Sequence, residues 1–216
     1  MSDAVNPRRA YSSPRRREQA RATRSAVLAH ARELFIDGGY AITTVPAIAA
    51  AAGVSVETIY KSVGNKPAIV KAVFDVAIVG DDEPIPLRMR DTIVAIEAEP
   101  DPRRKLAMYG EHVGAIGGRI GPILLVVRAA AETDPGAADV WTALQQERLS
   151  GMTMFAAHLA AGGHLRPGLG ADEARDVLWT HNSVEMWDLL VRQRGWTDDR
   201  FGAWIGQQLA AALLLR

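Results

Sequence analysis

The chain has 216 residues, 48% of them apolar, and this length and composition allow one or two folded domains and exclude wholesale disorder. It contains no cysteine, which excludes a disulfide framework and a thiolate metal site. No uninterrupted apolar run approaches the roughly 20 residues of a membrane span. The arginine-rich N-terminus also lacks the apolar segment of a secretory signal. We therefore expect a cytoplasmic protein without a membrane partner.

The net charge of zero hides an asymmetry between the two ends of the chain. Residues 1–71 hold 11 of the 25 basic side chains but only 5 of the 25 acidic ones, which leaves the rest of the chain acidic. A basic third joined to an acidic remainder indicates that one end meets a polyanion. A chance asymmetry of a solvated surface is the alternative.

The first elements in chain order are a basic arm and a long helix. Residues 1–12 show no periodicity, which is typical of a flexible arm. Ser13 and Pro14 form a helix-starting pair, and an apolar stripe at helical spacing follows at Leu28, Ala31, Leu34 and Phe35. Gly38 and Gly39 predict the end of this helix.

Two short helices then follow in close succession. Thr44 is a predicted N-cap, and the alanine-rich helix after it ends at Gly53, a residue suited to a left-handed turn. Ser55 caps the next helix, predicted over 56–61. A fourth helix begins near Asn65, and the segment 80–86 predicts a domain boundary.

Every segment after this boundary also has helical periodicity, and no strand alternation is sustained. We therefore predict an all-α protein of about nine helices, with a flexible arm (1–12), a helix-turn-helix domain (13–80) and a helical domain for ligand binding and dimerisation (81–216). The predicted helices of the last domain are 87–98, 102–117, 122–132, 135–162, 172–194 and 198–215.

Two short helices joined by a glycine turn, with a third helix packed across them, define a helix-turn-helix unit. The major groove of DNA is about 12 Å wide and admits one helix. In this unit the alanine-rich helix would support the helix after Gly53 and present it to the groove.

The residues of this unit resemble the DNA-binding domain of the tetracycline-repressor (TetR) family of bacterial regulators. The family pattern combines a hydroxyl pair, an Ile-Ala pair, Ala-Gly-Val-Ser, Thr-Leu-Tyr and a lysine. This sequence has the matching segments at the same offsets: LF…GY (34–40), TT (43–44), IA (48–49), AGVS (52–55), TIY (58–60) and Lys66.

The resemblance implies DNA contacts from both helices that flank the turn. Thr43 or Thr44 and Tyr60 would bind phosphates, the start of the third helix would face base edges, and lysines would neutralise the backbone. Thr44 and Ser55 are explained equally well as helix caps, and Tyr60 could simply pack. The full set is Thr43, Thr44, Ser55, Val56, Glu57, Thr58, Tyr60, Lys61 and Lys66.

Two residues depart from the family pattern. Val63 stands where the family has an aromatic side chain between the third and fourth helices, which predicts a looser junction. Glu57 stands where the family commonly has a small residue. Its carboxylate would either accept a hydrogen bond from a cytosine amino group or repel phosphate.

In the acidic domain the resemblance implies a small-molecule pocket and a homodimer interface. Polar residues within apolar helical faces suggest the pocket, and the Gly202, Gly206 and Ala210 ridge of the last helix suggests a close partner helix. Plain core packing is the alternative for both. The candidate pocket residues are Trp141, Met152, Phe155, His181, Asn182 and Glu185, and the candidate interface residues are Phe201, Trp204, Ile205 and Gly206.

No sequence motif supports catalysis, a metal or a cofactor: there is no phosphate loop, zinc-protease motif or nucleophile elbow. The sequence therefore predicts a non-enzymatic transcriptional regulator, a homodimeric repressor released from a palindromic operator in double-stranded DNA by an unidentified inducer. A dimeric protein that binds a small molecule or a partner but no operator is the alternative.

Overall fold

A computed structural model of the protein describes residues 14–80 and 86–215. Three sequence predictions fall outside these described residues: the arm (1–12), the N-cap Ser13 of the first helix, and residues 81–85 of the boundary segment (80–86).

The N-terminal helices begin and end close to where their capping residues predict. They are α1 (Pro14–Gly38), α2 (Val45–Ala52), α3 (Val56–Ser62) and α4 (Lys66–Val79). The side chains of Thr44, Ser55 and Asn65 each accept a hydrogen bond from a backbone N–H in the first turn of the helix they precede. These local bonds explain why the boundaries were predictable.

The C-terminal elements are also helical, and the part of the chain that the structure describes contains no strand. The all-α prediction is confirmed. The elements are a 3-10 turn (Leu87–Met89), α5 (Asp91–Ala98), α6 (Pro102–Ala131), α7 (Pro135–Ala161), α8 (Ala171–His181), α9 (Val184–Trp187), a π-helical segment (Asp188–Gln193) and α10 (Asp198–Leu213).

The predicted break before Pro122 is wrong, because α6 continues through this residue. Pro122 has no N–H to donate, which removes one bond of the helix ladder. Packing on the helix face around it compensates: Gly121, Ile123 and Leu124 are buried. A Cβ on Gly117 would lie 2.8 Å from the Trp187 side chain, and one on Gly121 would lie 2.5 Å from it. The indole therefore packs directly against the backbone of α6 at these two glycines.

The predicted helix 172–194 is in fact interrupted. It stops at His181, and Ser183 starts α9 by accepting the Met186 N–H through its hydroxyl oxygen at 3.4 Å. The predicted helix 87–98 likewise divides into the 3-10 turn and α5. At Ser183 a side-chain cap begins a new helix where the sequence showed no interruption of helical period, whereas Arg90 precedes α5 without a capping side-chain bond.

The glycine ridge of α10 packs inside the protein, against α6. A Cβ on Gly206 would lie 3.0 Å from the backbone of Leu106 and Ala107, and a Cβ on Gly202 would lie 2.6 Å from the Gly110 carbonyl oxygen. Three candidate interface residues, Phe201, Ile205 and Gly206, are therefore buried within a single chain. Their assignment to a dimer interface is wrong, and Trp204 alone of the four stays half-buried.

By length and composition, α6 could cross a membrane, contrary to the expectation from uninterrupted apolar runs. The same test is passed by core helices of soluble proteins, and α6 packs against α10, α7 and α4 in this fold. The other described helices do not meet that criterion.

Candidate DNA-binding surface and ligand cavity

The turn between α2 and α3 is built on Gly53. Its φ of 66° lies in the left-handed region that residues with a Cβ avoid. The Gly53 N–H donates to the Ala50 carbonyl at 3.3 Å, and the Val54 N–H donates to the Ala49 carbonyl at 3.0 Å. These two bonds close the C-terminus of α2 and fix the direction in which α3 leaves.

The neighbouring residues Thr43 and Thr44 have different structural roles. Thr43 is buried, and its hydroxyl lies 3.0 Å from the Leu34 carbonyl oxygen and 2.8 Å from that of Gly39, to which it donates. Thr44 is exposed, and its hydroxyl accepts the Ala47 N–H at 3.2 Å. A phosphate contact by Thr43 is therefore excluded by burial, whereas the Thr44 hydroxyl can still donate outward.

The exposed face of α3 carries Glu57, Tyr60 and Lys61, and Ile59 anchors the helix in the core. The Lys61 Nζ lies 2.6 Å from a Glu57 carboxylate oxygen, and both side chains are 75% exposed. Tyr60 is 55% exposed. Val56 and Thr58 are half-buried, and the Ser55 and Thr58 hydroxyls lie 2.8 Å apart. Glu57 therefore neutralises part of the lysine charge on this face.

Lys66 links the helix-turn-helix to its neighbours. Its Nζ lies 4.2 Å from the centre of the Tyr40 ring and donates to the Ala41 carbonyl at 3.2 Å. Burial lowers the pKa of Lys66, and the nearby Asp134 at the start of α7 opposes that shift. Burial and Asp134 raise the pKa of Tyr40 to about 12. Lys66 thus has structural partners in addition to its predicted DNA role.

The junction at Val63 is closed by backbone bonds in place of an aromatic side chain. The Val63 and Gly64 N–H groups both donate to the Ile59 carbonyl, at 2.8 and 3.1 Å. The Arg24 guanidinium of α1 donates to the Ser62 carbonyl at 2.8 Å. Val63 itself is half-buried against the core, so the fold accommodates the smaller side chain.

A cavity of about 1150 Å³ lies between the helix-turn-helix domain and the C-terminal helices. Its walls come chiefly from α4, α5, α6 and α7, and they are mainly apolar. Met89 and Met154 line it and are 59% and 57% exposed, so they mark its opening to solvent. Mainly apolar walls with a few polar groups are typical of small-molecule sites.

Three of the six candidate pocket residues line this cavity: Met152, Phe155 and Asn182. The other three do not. Trp141 packs elsewhere on the core, and Glu185 makes an ion pair with Arg128 at 3.1 Å. His181 lies beside Trp204, with its Nδ1 2.8 Å from the Val177 carbonyl oxygen.

A polar cluster at the wall joins two of the candidates, Met152 and Asn182, to Tyr109 and Arg148. The Tyr109 hydroxyl donates to the Met152 sulfur at 3.1 Å, and burial raises the pKa of Tyr109. The Arg148 guanidinium donates to the Asn182 carbonyl at 3.0 Å and to the Trp179 carbonyl. Helical periodicity identified the face of α7 that borders the cavity, but not the face of α6 that carries Tyr109.

His112 lines the cavity one helical turn after Tyr109, and burial followed by the positive charge of Arg119 lowers its pKa. The unfolded chain therefore binds a proton below about pH 6.5 more readily than the folded protein does. We expect the folded protein to lose stability as the pH falls through this range, and His112→Gln to reduce the loss. The difference between the melting temperatures at pH 7.5 and 5.5 measures this loss of stability. An equal difference in the unmodified protein and in His112→Gln would contradict the prediction.

Comparison with known proteins agrees with this geometry. Residues 27–73 match the family described as bacterial regulatory proteins, tetR family. No curated protein sequence shows significant similarity to the chain.

Solved structures with the same fold include three regulators. The fatty acid degradation regulator FadR from Bacillus halodurans is 16% identical, with a TM-score of 0.68 over 89% of this chain and 99% of its own. NalD from Pseudomonas aeruginosa, the secondary repressor of a multidrug efflux pump, is 21% identical, with a TM-score of 0.68 over 90% and 98%. FadR from Bacillus subtilis in complex with stearoyl-CoA is 18% identical, with a TM-score of 0.67 over 86% and 96%.

The N-terminal helices and the exposed face of α3 define a helix-turn-helix fold. The family match covers residues 27–73, so this segment is similar to the bacterial regulatory proteins of the tetR family.

Proposed function

We propose that the protein is a homodimeric repressor that a small molecule releases from a palindromic operator. The observation that carries this proposal is the position of α4. Phe74 and Ile78 of this helix line the cavity, while Ile69 and Val70 are fully buried in the core beside the helix-turn-helix. A ligand that fills the cavity therefore touches the helix that supports the DNA-binding surface.

Polar contacts connect α4 to the cavity walls on two sides. Lys71 lies 2.6 Å from Asp75 on its own helix and 3.2 Å from Glu147 of α7, and both acids line the cavity. Arg119 of α6 donates to the Ala77 carbonyl at 3.0 Å, at the end of α4. A ligand that separates α6 from α7 would shift α4 and change the spacing of the two DNA-binding heads.

For the DNA contacts we propose the exposed residues of the turn and of α3. Thr44 and Tyr60 would bind phosphates, Lys61 would neutralise the backbone, and Val56, Glu57 and Thr58 would face base edges. Ser55 and Lys66 would contribute less, because the first caps α3 and the second is held between Tyr40 and Ala41. Gly53 sets the angle of α3.

We propose that the dimer uses the outward face of α10, because its glycine face is occupied by α6. Ala203, Gln207 and Ala211 follow each other at four-residue spacing and are exposed, with Trp204 half-buried beside them. Such a two-fold contact would place the recognition helices about 34 Å apart, one turn of DNA.

The test is a mobility-shift titration of the purified protein on DNA flanking its own gene. We expect binding at low salt that weakens as salt rises, with a slope of about −0.9 per phosphate contacted. Addition of a ligand that fills the cavity should release the DNA. Absence of binding at low salt would contradict the proposal and favour a dimer that binds only a small molecule or a partner.

A further inference from the structure

The cavity wall contains a positive charge without a carboxylate partner among the described residues; the Arg148 guanidinium lies 4.5 Å from the centre of the Trp179 ring. Arg148 lines the wall and is half-buried, and no carboxylate of the described residues lies within 4.0 Å of its guanidinium. Glu185, the acid whose charge acts on it, is paired with Arg128 at 3.1 Å. A guanidinium partly withdrawn from water without a counterion favours an anion.

The hydrogen bonds of Arg148 leave one donor unused. Its Nε and one Nη2 hydrogen donate to the Gln145 side-chain oxygen, at 3.2 and 2.8 Å, and its Nη1 group donates to the Trp179 and Asn182 carbonyls. A guanidinium has five N–H donors. One Nη2 hydrogen therefore has no acceptor among the described residues.

Two further polar groups lie on the adjacent wall. Tyr109 carries a hydroxyl in the core, and His112 makes no hydrogen bond or ion pair within the described part of the chain. The lining carboxylates, Asp75, Glu97 and Glu147, belong instead to exposed residues, and Lys71 already binds two of them. The interior is thus cationic or neutral, and the acids lie on the solvent side.

We propose that the ligand is an amphiphile with a long apolar body and an anionic head group, such as a carboxylate, held by Arg148 with His112 and Tyr109 beside it. This inference rests on the proposed function, because it names the ligand class of the same cavity. The apolar body would lie along the side chains of α4, α5 and α6 that form the remaining walls, among them Phe74, Ile96 and Ile116.

The test compares three twelve-carbon probes that differ only in the head group: dodecanoate, dodecan-1-ol and dodecylamine. Their dissociation constants for the full-length protein are measured by calorimetry at neutral pH, below micellar concentrations. We expect dodecanoate to bind most tightly and dodecylamine at least about tenfold more weakly, because a cation meets Arg148 without a buried acid to accept it. Equal or tighter binding of the amine, or no binding of any probe, would overturn the proposal.

A variant pair identifies the group responsible. Arg148→Gln removes the charge and should abolish the preference for dodecanoate over dodecanol while the alcohol still binds, and Arg148→Lys should keep the preference. Binding of dodecanol also verifies that each variant is folded. If Arg148→Gln does not fold, the order of the three probes on the unmodified protein decides by itself.

The outcome is separable from that of the proposed function. DNA binding without ligand is measured independently of any head group. Release of operator DNA by dodecylamine but not by dodecanoate would overturn the ligand class and leave the repressor intact. Tight binding of dodecanoate without any effect on DNA binding would support the ligand class and overturn the proposed release from the operator.

Discussion

The substitution Gly110→Ala is expected to lower the free energy of unfolding by about 3 kcal/mol, the upper part of the range for an overpacked core. An added Cβ would lie 2.5 Å from the Gly206 backbone nitrogen and would also overlap the Gly202 carbonyl oxygen of α10. Both obstacles are backbone atoms, so no side chain can rotate away. The two helices would have to move apart along their whole contact.

Gly151→Ala is the matched control, because Gly151 also lies within a long helix but an added Cβ there meets no atom within 4 Å. We expect this variant to be stabilised by up to about 1 kcal/mol through helix propensity. Chemical denaturation of both variants measures the difference. Equal stabilities would show that α6 and α10 do not pack through their glycines.

The substitution Lys61→Glu is expected to weaken operator binding by about 100-fold at moderate salt, since each subunit of a dimer loses a phosphate contact and gains a repulsive charge. Glu57 would then lie one turn from a second carboxylate on the face proposed to meet DNA. The side chain is 75% exposed, so the free energy of unfolding should change by less than about 0.5 kcal/mol.

Arg104→Glu provides the comparison for this experiment. Arg104 is 73% exposed and is likewise paired with an acid, Glu99 at 3.1 Å, but it lies on α6 in the C-terminal domain. The same charge reversal there should leave the affinity and the salt slope for operator DNA unchanged. Equal losses in the two variants would mean that net charge, and not α3, controls binding.

The N-terminal helices could be predicted from sequence because their boundaries depend on local chemistry. Thr44, Ser55 and Asn65 cap helices through their own side chains, and Gly53 takes a backbone angle that few other residues adopt. The burial of Thr43 could not be predicted in the same way. Its partners are carbonyls of α1 that only the folded chain brings near.

In the C-terminal domain, the sequence predicted the helices but not which helix faces pack against each other. A smooth glycine face fits a second subunit or a neighbouring helix equally well, and here α6 occupies it. Met152 and Phe155 were recognisable as cavity residues from a helical stripe of α7, whereas the position of Tyr109 and His112 depends on the rotation of α6. That rotation follows from tertiary packing, which periodicity does not encode.

The packing of Trp187 against Gly117 and Gly121 has a consequence for the fluorescence of the protein. Of the five tryptophans, this one lines the cavity, and its indole N–H donates to Asp198 at 2.9 Å. Its emission should change when a ligand fills the cavity beside the ring, and Trp179 is a second reporter because its ring lies 4.5 Å from the Arg148 guanidinium. Occupancy of the cavity can thus be followed by intrinsic fluorescence, without an attached dye.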